Sequence, residues 1–168
     1  MAERVPFASE LSRIMERVAC EVTRHVGQLE LRPVLDENFP AETGGCQVQT
    51  TLYGGYHSRI TLTRQLPSFF STWTKNMMEE SPTLEDVADY AVEYFNVLCG
   101  HIVAEIFRVT GVTAKFCCPI FGHKVRSEAV PFQTCTQFCC PYGWLELGYA
   151  PLPMTAISAK HEGEEKEL

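Results

Sequence analysis

The sequence predicts a single α/β domain of the α+β kind, in which long helices cover a largely antiparallel sheet. Two long segments repeat apolar residues at helical spacing. Strand-like segments lie in two groups, and a short second helix and the longer of the two long helices separate these groups. Turn signals join successive strands, which favours antiparallel neighbours. The resulting order of helix, strands, two helices and strands is typical of a sheet with helices on it.

Composition limits the class of protein. The chain has 168 residues, enough for one domain with a sizeable core. Its net charge of −7 argues against a nucleic-acid binder, whose binding surface is basic. No apolar run reaches the roughly 18 residues that a membrane span needs, and the first residues do not read as a signal peptide. We therefore expect a cytoplasmic protein with residues 1–159 as one domain and a charged, disordered tail at 160–168.

The elements before the longest helix follow from periodicity and turn signals. They are predicted as a helix at 9–26, strands at 28–35, 46–53 and 56–63, and a short helix at 68–78. The Gly54-Gly55 pair indicates a two-residue hairpin between the second and third strands. After the longest helix, we expect strands at 112–118, 132–140 and 144–149, with irregular structure at 120–131.

The longest helix is predicted at 83–110. Thr83 suits the N-cap, and acids follow it in the first turn, where the helix dipole favours them. Gly111 fits the helix end. One broad apolar face should lie in the core, and its members are Leu84, Ala88, Ala91, Val92, Phe95, Cys99, Ile102, Val103 and Ile106.

A second line on this helix combines an acid pair, an amide and a glycine. Asp89, Glu93, Asn96 and Gly100 are spaced i, i+4, i+7 and i+11, so they lie along one side, which we place about a quarter turn from the core face. We call these four residues the α3 stripe. Glycine in a helix interior costs about 1 kcal/mol relative to alanine. The stripe therefore suggests that something approaches the backbone at Gly100.

The spacing of the stripe resembles the signature of the CheC/CheX/FliY family of chemotaxis phosphatases. That signature is Asp or Ser, three residues, Glu, two residues, Asn, twenty-two residues and Pro. Here the matching residues are Asp89, Glu93, Asn96 and Pro119, and every gap agrees. Gly100 after the Asn also resembles the family. A single copy of the signature is more like CheX than CheC, and the resemblance covers roughly residues 8 to 150.

The resemblance implies a fold, an activity and partners. It implies a CheX-like fold and a homodimer formed by strand exchange. It implies a phosphatase that removes the aspartyl phosphate from a CheY-like response regulator. Asn96 would orient the attacking water and Glu93 would pair with the regulator's Lys, while Asp89 and Gly100 would contact the partner. Mg²⁺ would sit on the regulator, and this chain would bind no cofactor.

The proposed chemistry suits the residue types. The regulator already neutralises charge with its Mg²⁺ and Lys, so the missing component is a group that positions the water. An amide both donates and accepts hydrogen bonds at fixed geometry, and the water-orienting Gln of GTPases is its chemical analogue. Holding the water in line with the phosphorus is a contribution of orientation.

Alternative interpretations stay open at this stage. Asp89 suits local capping or pairing equally well, Gly100 suits helix packing, and Pro119 suits a strand end. Tyr94 is expected to point outward, where it would crowd a partner. Together with the cysteine-rich C-terminal third, it favours a non-catalytic module that only binds a receiver domain or another signalling protein.

The cysteines suggest a metal site only weakly. The candidate ligands are Cys117, Cys118, Cys135, Cys139 and Cys140, with His101 and His123. Their spacing lacks the paired Cys-x-x-Cys motifs of structural zinc sites, and adjacent residues of a strand point to opposite faces. We therefore expect reduced thiols and no bound zinc or iron.

Overall fold

A computed structural model describes residues 8–35, 46–78, 80–123 and 132–153. Within these ranges the chain forms three helices and seven strands. They are α1 (Ala8–Gly27), β1 (Arg32–Val34), β2 (Cys46–Gly54), β3 (Ser58–Arg64), α2 (Leu66–Met77), α3 (Leu84–Thr110), β4 (Ala114–Phe116), β5 (Ile120–His123), β6 (Thr134–Cys140) and β7 (Gly143–Pro151). None of the described helices is long and apolar enough to span a membrane. The predicted tail at 160–168 lies outside the described residues.

The seven strands form one antiparallel sheet, as the sequence predicted. Its order is β1-β6-β7-β3-β2-β4, and β5 also pairs with β2. The long ladders β2–β3, β3–β7 and β6–β7 join its centre. The turn between β6 and β7 is tight, since Cys140 is paired with Gly143. The predicted fold class is therefore confirmed.

The predicted two-residue hairpin at Gly54-Gly55 is wrong. The β2–β3 ladder ends at the pair Leu52–Ser58, so the connection is longer. Gly54 instead continues β2 and pairs with Ala114 of β4. The backbone N–H of Gly55 donates to Thr113, at 3.0 Å. The glycines thus allow β2 to pass beyond β3 and pair with the strand that follows α3.

Strand β5 is an element that the sequence analysis expected to be irregular. It continues along the same edge of β2 as β4, after an interruption. Phe116 pairs with Leu52 and Ile120 with Gln49, so three residues, 117–119, face only two on β2. This extra residue is a β-bulge. Thr50 Oγ1 donates to the carbonyl of Cys117, at 2.6 Å, and fixes the bulge to β2.

Helices α1 and α3 pack together on one face of the sheet. Ser12 of α1 lies 3.4 Å from the Thr136 hydroxyl of β6, whereas the middle of α3 lies beside Phe116 of β4. Helix α2 adds an aromatic cluster to the same core, formed with α3. The cluster consists of Phe69, Phe70, Trp73, Tyr90 and Tyr94. These contacts fix the rotation of α3 about its own axis.

That rotation differs from the one predicted. Leu84 is 88% exposed, because the first turn of α3 extends past the core. Ala88, Val92 and Val103 are only partly buried. The buried residues are Val87, Ala91, Tyr94, Phe95, Leu98, Cys99, Ile102 and Ile106. The centre of this set is turned toward α1 and α2, so the α3 stripe lies nearly opposite the core and not a quarter turn from it.

Candidate functional site

Both ends of α3 are fixed by local hydrogen bonds. Thr83 and Asp86 form a capping box, in which Thr83 Oγ1 accepts from the Asp86 backbone N–H at 3.1 Å, and the Thr83 N–H donates to the Asp86 carboxylate at 2.7 Å. The hydrogen bonds from the backbone and side chain of Thr83 hold the pKa of Asp86 below its usual value. Gly111, with φ +73°, ends the helix and donates to Phe107, at 2.7 Å. The predicted helix at 83–110 is confirmed.

The polar members of the α3 stripe face solvent. Asp89, Glu93 and Asn96 are all exposed. Among the described residues, none of the three side chains has a hydrogen-bond partner or an ion-pair partner. Capping is carried out by Thr83 and Asp86, so the local capping role considered for Asp89 does not apply. Two carboxylates and an amide on one side of a capped helix are therefore available to bind a partner.

Gly100, the last residue of the stripe, is half-buried. A Cβ built at this position has the Phe116 ring as its nearest neighbour outside the helix, at 4.0 Å, which is an ordinary contact distance. Among the described residues, no neighbouring helix comes within that radius, so the helix-packing interpretation is wrong. Glycine lowers the stability of the helix at this position, and no packing contact among the described residues requires it.

Tyr94 does not point outward as the sequence analysis expected. Its side chain is only 2% exposed, and its hydroxyl lies 2.8 Å from Thr23 Oγ1 of α1. Burial raises the pKa of Tyr94 well above its usual range. The residue belongs to the contact between α1 and α3, so it cannot crowd a partner that approaches the stripe.

Pro119, the last residue of the signature, is buried in the bulge between β4 and β5. It follows Phe116 by three residues, and Phe116 is the neighbour of Gly100. A proline suits this place because a bulge leaves a backbone N–H without a ladder partner. The structure thus gives Pro119 the strand-end role that the sequence analysis considered for it.

The cysteines are free thiols. Cys117 and Cys118 are exposed at the bulge, whereas Cys139 and Cys140 lie half-buried on β6. Burial of the thiol, and next the carboxylate of Glu146, raise the pKa of Cys135 to about 12. In the part of the chain that the structure describes, no three His, Cys, Asp or Glu side chains come together as metal ligands.

A groove that the sequence did not predict lies beside the stripe. It runs between α1 and α3 with a volume of about 290 Å³, and we call it the α1–α3 groove. Its lining residues are Glu21, Val22, His25, Val26, Val97 and His101. Val97 directly follows Asn96, and it is one of two valines in the lining that remain exposed. The available signal was the exposed valine next to the amide, but the groove depends on which side of α3 packs against α1.

No protein-family model matches the sequence, and no curated protein matches it significantly. Solved structures do match in fold. The chemotaxis protein CheX from Desulfovibrio desulfuricans is 14% identical, with a TM-score of 0.63, over 85% of this chain and 99% of that one. CheX from Vibrio vulnificus is 18% identical, with a TM-score of 0.65, over 83% and 99%.

A third similar structure is a complex of CheX with CheY, BeF₃ and Mg²⁺ from Borrelia burgdorferi. It is 17% identical, with a TM-score of 0.64, over 82% of this chain and 95% of the matched chain. These matches span nearly the whole length of each relative at low sequence identity. The chain therefore has the fold of the CheX and CheC-like chemotaxis proteins.

Proposed function

We propose that this chain is a CheX-type phosphatase that removes the aspartyl phosphate from a CheY-like response regulator. The observation that carries the proposal is the α3 stripe. On a helix with both ends capped, in a fold shared with CheX, an acid and an amide one turn apart are exposed and uncommitted. The four-residue spacing with Pro119 supports membership of the CheC/CheX/FliY family.

Asn96 is the catalytic residue in this proposal. Its amide holds a water in line with the P–O bond that joins the phosphoryl group to the regulator's aspartate. The water oxygen forms a bond to phosphorus as the P–O bond to the aspartate breaks. The products are inorganic phosphate and a free aspartate carboxylate. Mg²⁺ on the regulator stabilises the charge, so this chain needs no metal of its own.

The remaining stripe residues hold the regulator in place. Glu93, three residues before Asn96, lies about 4.5 Å away along the helix axis, and it pairs with the regulator's Lys. Asp89 contacts the partner one turn earlier. Gly100 lets the partner reach the backbone of α3, which accounts for a glycine that the fold does not need. The Borrelia burgdorferi complex of CheX with CheY, BeF₃ and Mg²⁺ supports the choice of partner.

The structure removes one argument for the alternative function, a non-catalytic module that only binds a receiver domain. That alternative rested on Tyr94 crowding the partner and on the cysteine-rich C-terminal third, and the first ground is removed because Tyr94 is buried against Thr23. A protein that only binds a receiver domain would leave the phosphoryl group on it. Turnover therefore separates the two functions.

Replacement of the amide tests the mechanism. Loss of phosphate from candidate receiver domains is followed with and without this protein. Asn96→Ala should reduce the stimulated rate about a hundredfold, equivalent to about 2.7 kcal/mol, because the water is no longer held. Because Asn96 is exposed, the free energy of unfolding should change by less than about 1 kcal/mol. Asn76→Ala, which truncates an exposed amide on α2 that donates to the Tyr142 hydroxyl at 2.7 Å, is the control for the rate and should retain the parental value.

Glu93→Ala separates docking from water positioning. It should weaken receiver binding as well as the rate, because it removes an ionic contact with the partner. Asn96→Ala should leave binding nearly unchanged. Parental turnover by Asn96→Ala on a receiver that the parent dephosphorylates would contradict the mechanism.

We also propose that the chain is a homodimer. The sheet ends in β1 on one side and in β4 and β5 on the other, and edge strands of this kind are pairing sites for another chain. Multi-angle light scattering at micromolar concentration should give twice the mass of 18.9 kDa. A monomer mass across that range would exclude the dimer.

A further inference from the structure

The α1–α3 groove has an apolar floor beside the stripe. Val22 lies at its base, while Val26 is 40% exposed and Val97 is 36% exposed. Exposed aliphatic side chains on two different helices thus face one concave space. Apolar area of this kind gains free energy when another surface covers it.

The polar edge of the groove is largely engaged within α1. His25 Nδ1 lies 2.8 Å from the carbonyl of Glu21 and donates to it, since a carbonyl oxygen can only accept. The Glu21 carboxylate lies 3.8 Å from the Arg17 guanidinium. No group of three metal-ligating side chains exists among the described residues, the groove included. The part of the groove left for a partner is therefore mostly apolar, and the exposed imidazole of His101 adds a polar group on the α3 side.

The groove is continuous with the α3 stripe. Val97 follows Asn96 and His101 follows Gly100, so the two rows run side by side along α3. From Asn96 to His101 the two rows span five helical rises, about 7.5 Å. A partner of domain size that reaches the Gly100 backbone and places its phosphoryl group at Asn96 must also lie over Val97.

We propose, on the basis of the proposed function, that the α1–α3 groove is a second docking contact for the receiver domain and takes an apolar side chain from its surface. Asn96 acts on the water, whereas the groove contributes only affinity. It thereby selects among receiver domains, which share their phosphorylation chemistry but differ in their surface side chains. Val26 and Val97 are the specificity-determining residues.

The test replaces the valines without changing their shape. Val26→Thr and Val97→Thr each exchange a methyl group for a hydroxyl, which is unfavourable in an apolar contact. The probe is the receiver domain that the turnover assay selects, loaded with beryllium fluoride and Mg²⁺. Its Kd should rise about five- to tenfold for each variant, the size expected when a buried methyl contact is lost. Turnover at saturating receiver should stay within about twofold of the parent.

Val109→Thr is the matched control. Val109 is 38% exposed on α3 but does not line the groove. The Kd of this variant for the receiver domain should therefore equal that of the parent. Melting temperatures of all variants establish that they are folded. A Kd that rises for both groove variants and not for Val109→Thr supports the inference.

The contradicting outcomes are distinct. Parental Kd for both groove variants and for their double variant, together with loss of turnover in Asn96→Ala, overturns the groove and leaves the phosphatase intact. A change in dimer mass with unchanged receiver Kd assigns the groove to a second copy of this chain and overturns the inference. A parent that neither binds nor dephosphorylates any receiver domain overturns the proposed function, and the groove inference with it.

Discussion

Two regions of the helical layer contain the same residue types, glycine and glutamate, in different surroundings. In the helix junction, where α1 meets α2 and α3, a Cβ added to Gly27 would overlap the indole of Trp73. In the α3 stripe, the nearest described atom that a Cβ added to Gly100 would meet outside the helix backbone is in the Phe116 ring, at 4.0 Å. Packing therefore explains the first glycine and leaves the second unexplained. A residue that the fold does not require is evidence for a requirement outside the fold.

The acids of α3 show the same contrast. Glu105 accepts from Arg17 of α1 at 2.7 Å and from Arg108 at 2.9 Å. Hydrogen bonds from Arg108 and then Arg17 lower the pKa of Glu105 to about 2. Glu93 has no such partner among the described residues. The acid at the junction is thus paired with two arginines, whereas the acid of the stripe is left open for a partner.

The largest expected effect on stability tests the junction. Gly27→Ala should lower the free energy of unfolding by about 1–3 kcal/mol, because the new methyl group forces the Trp73 indole or α1 to shift. Urea denaturation of the variant and the parent measures the difference. Gly100→Ala is the matched control, since it makes the same chemical change on a helix. Equal stability of Gly27→Ala and the parent would remove the contrast between the two glycines.

Gly100→Ala should change stability and docking in opposite directions. The free energy of unfolding should rise by up to about 1 kcal/mol, because alanine is the better helix former and its methyl group fits. The Kd for the receiver loaded with beryllium fluoride should rise, because that methyl group occupies the space of the approaching partner. A variant that is more stable and binds the receiver as tightly as the parent would show that Gly100 has no docking role.

The sequence predicts best where the causes are local. The N-cap at Thr83 and the helix end at Gly111 depend on neighbouring residues only, and both were predicted. The ladder partner of Gly54 was missed because it is Ala114, which lies beyond α3 in the chain. The orientation of Tyr94 was missed because a helix period gives relative angles, while the side that faces the core depends on α1 and α2. The exposure of Glu93 and Asn96 was predictable because both are polar and lie away from the apolar face, wherever that face is centred.

The smallest expected effect concerns the Arg17–Glu105 contact. Because the folded-state pKa of Glu105 is about 2, below the reference value of 4.5, the ionised acid stabilises the fold above pH 4.5. That contribution is lost as the pH falls from 4.5 toward 2. Glu105→Gln should therefore lower the melting temperature slightly near pH 7, as expected for a surface ion pair. The difference from the parent should shrink as the pH is lowered through this window.

Glu93→Gln is the control, because Glu93 has no ion-pair partner among the described residues. Its melting temperature should follow that of the parent at every pH, because removing its charge costs no contact within the chain. The same substitution should weaken receiver binding, which Glu105→Gln should not. If the melting temperatures of Glu105→Gln and Glu93→Gln were the same at every pH, the ion pairs of Glu105 would contribute no measurable stability. The contrast would then rest on the glycines alone.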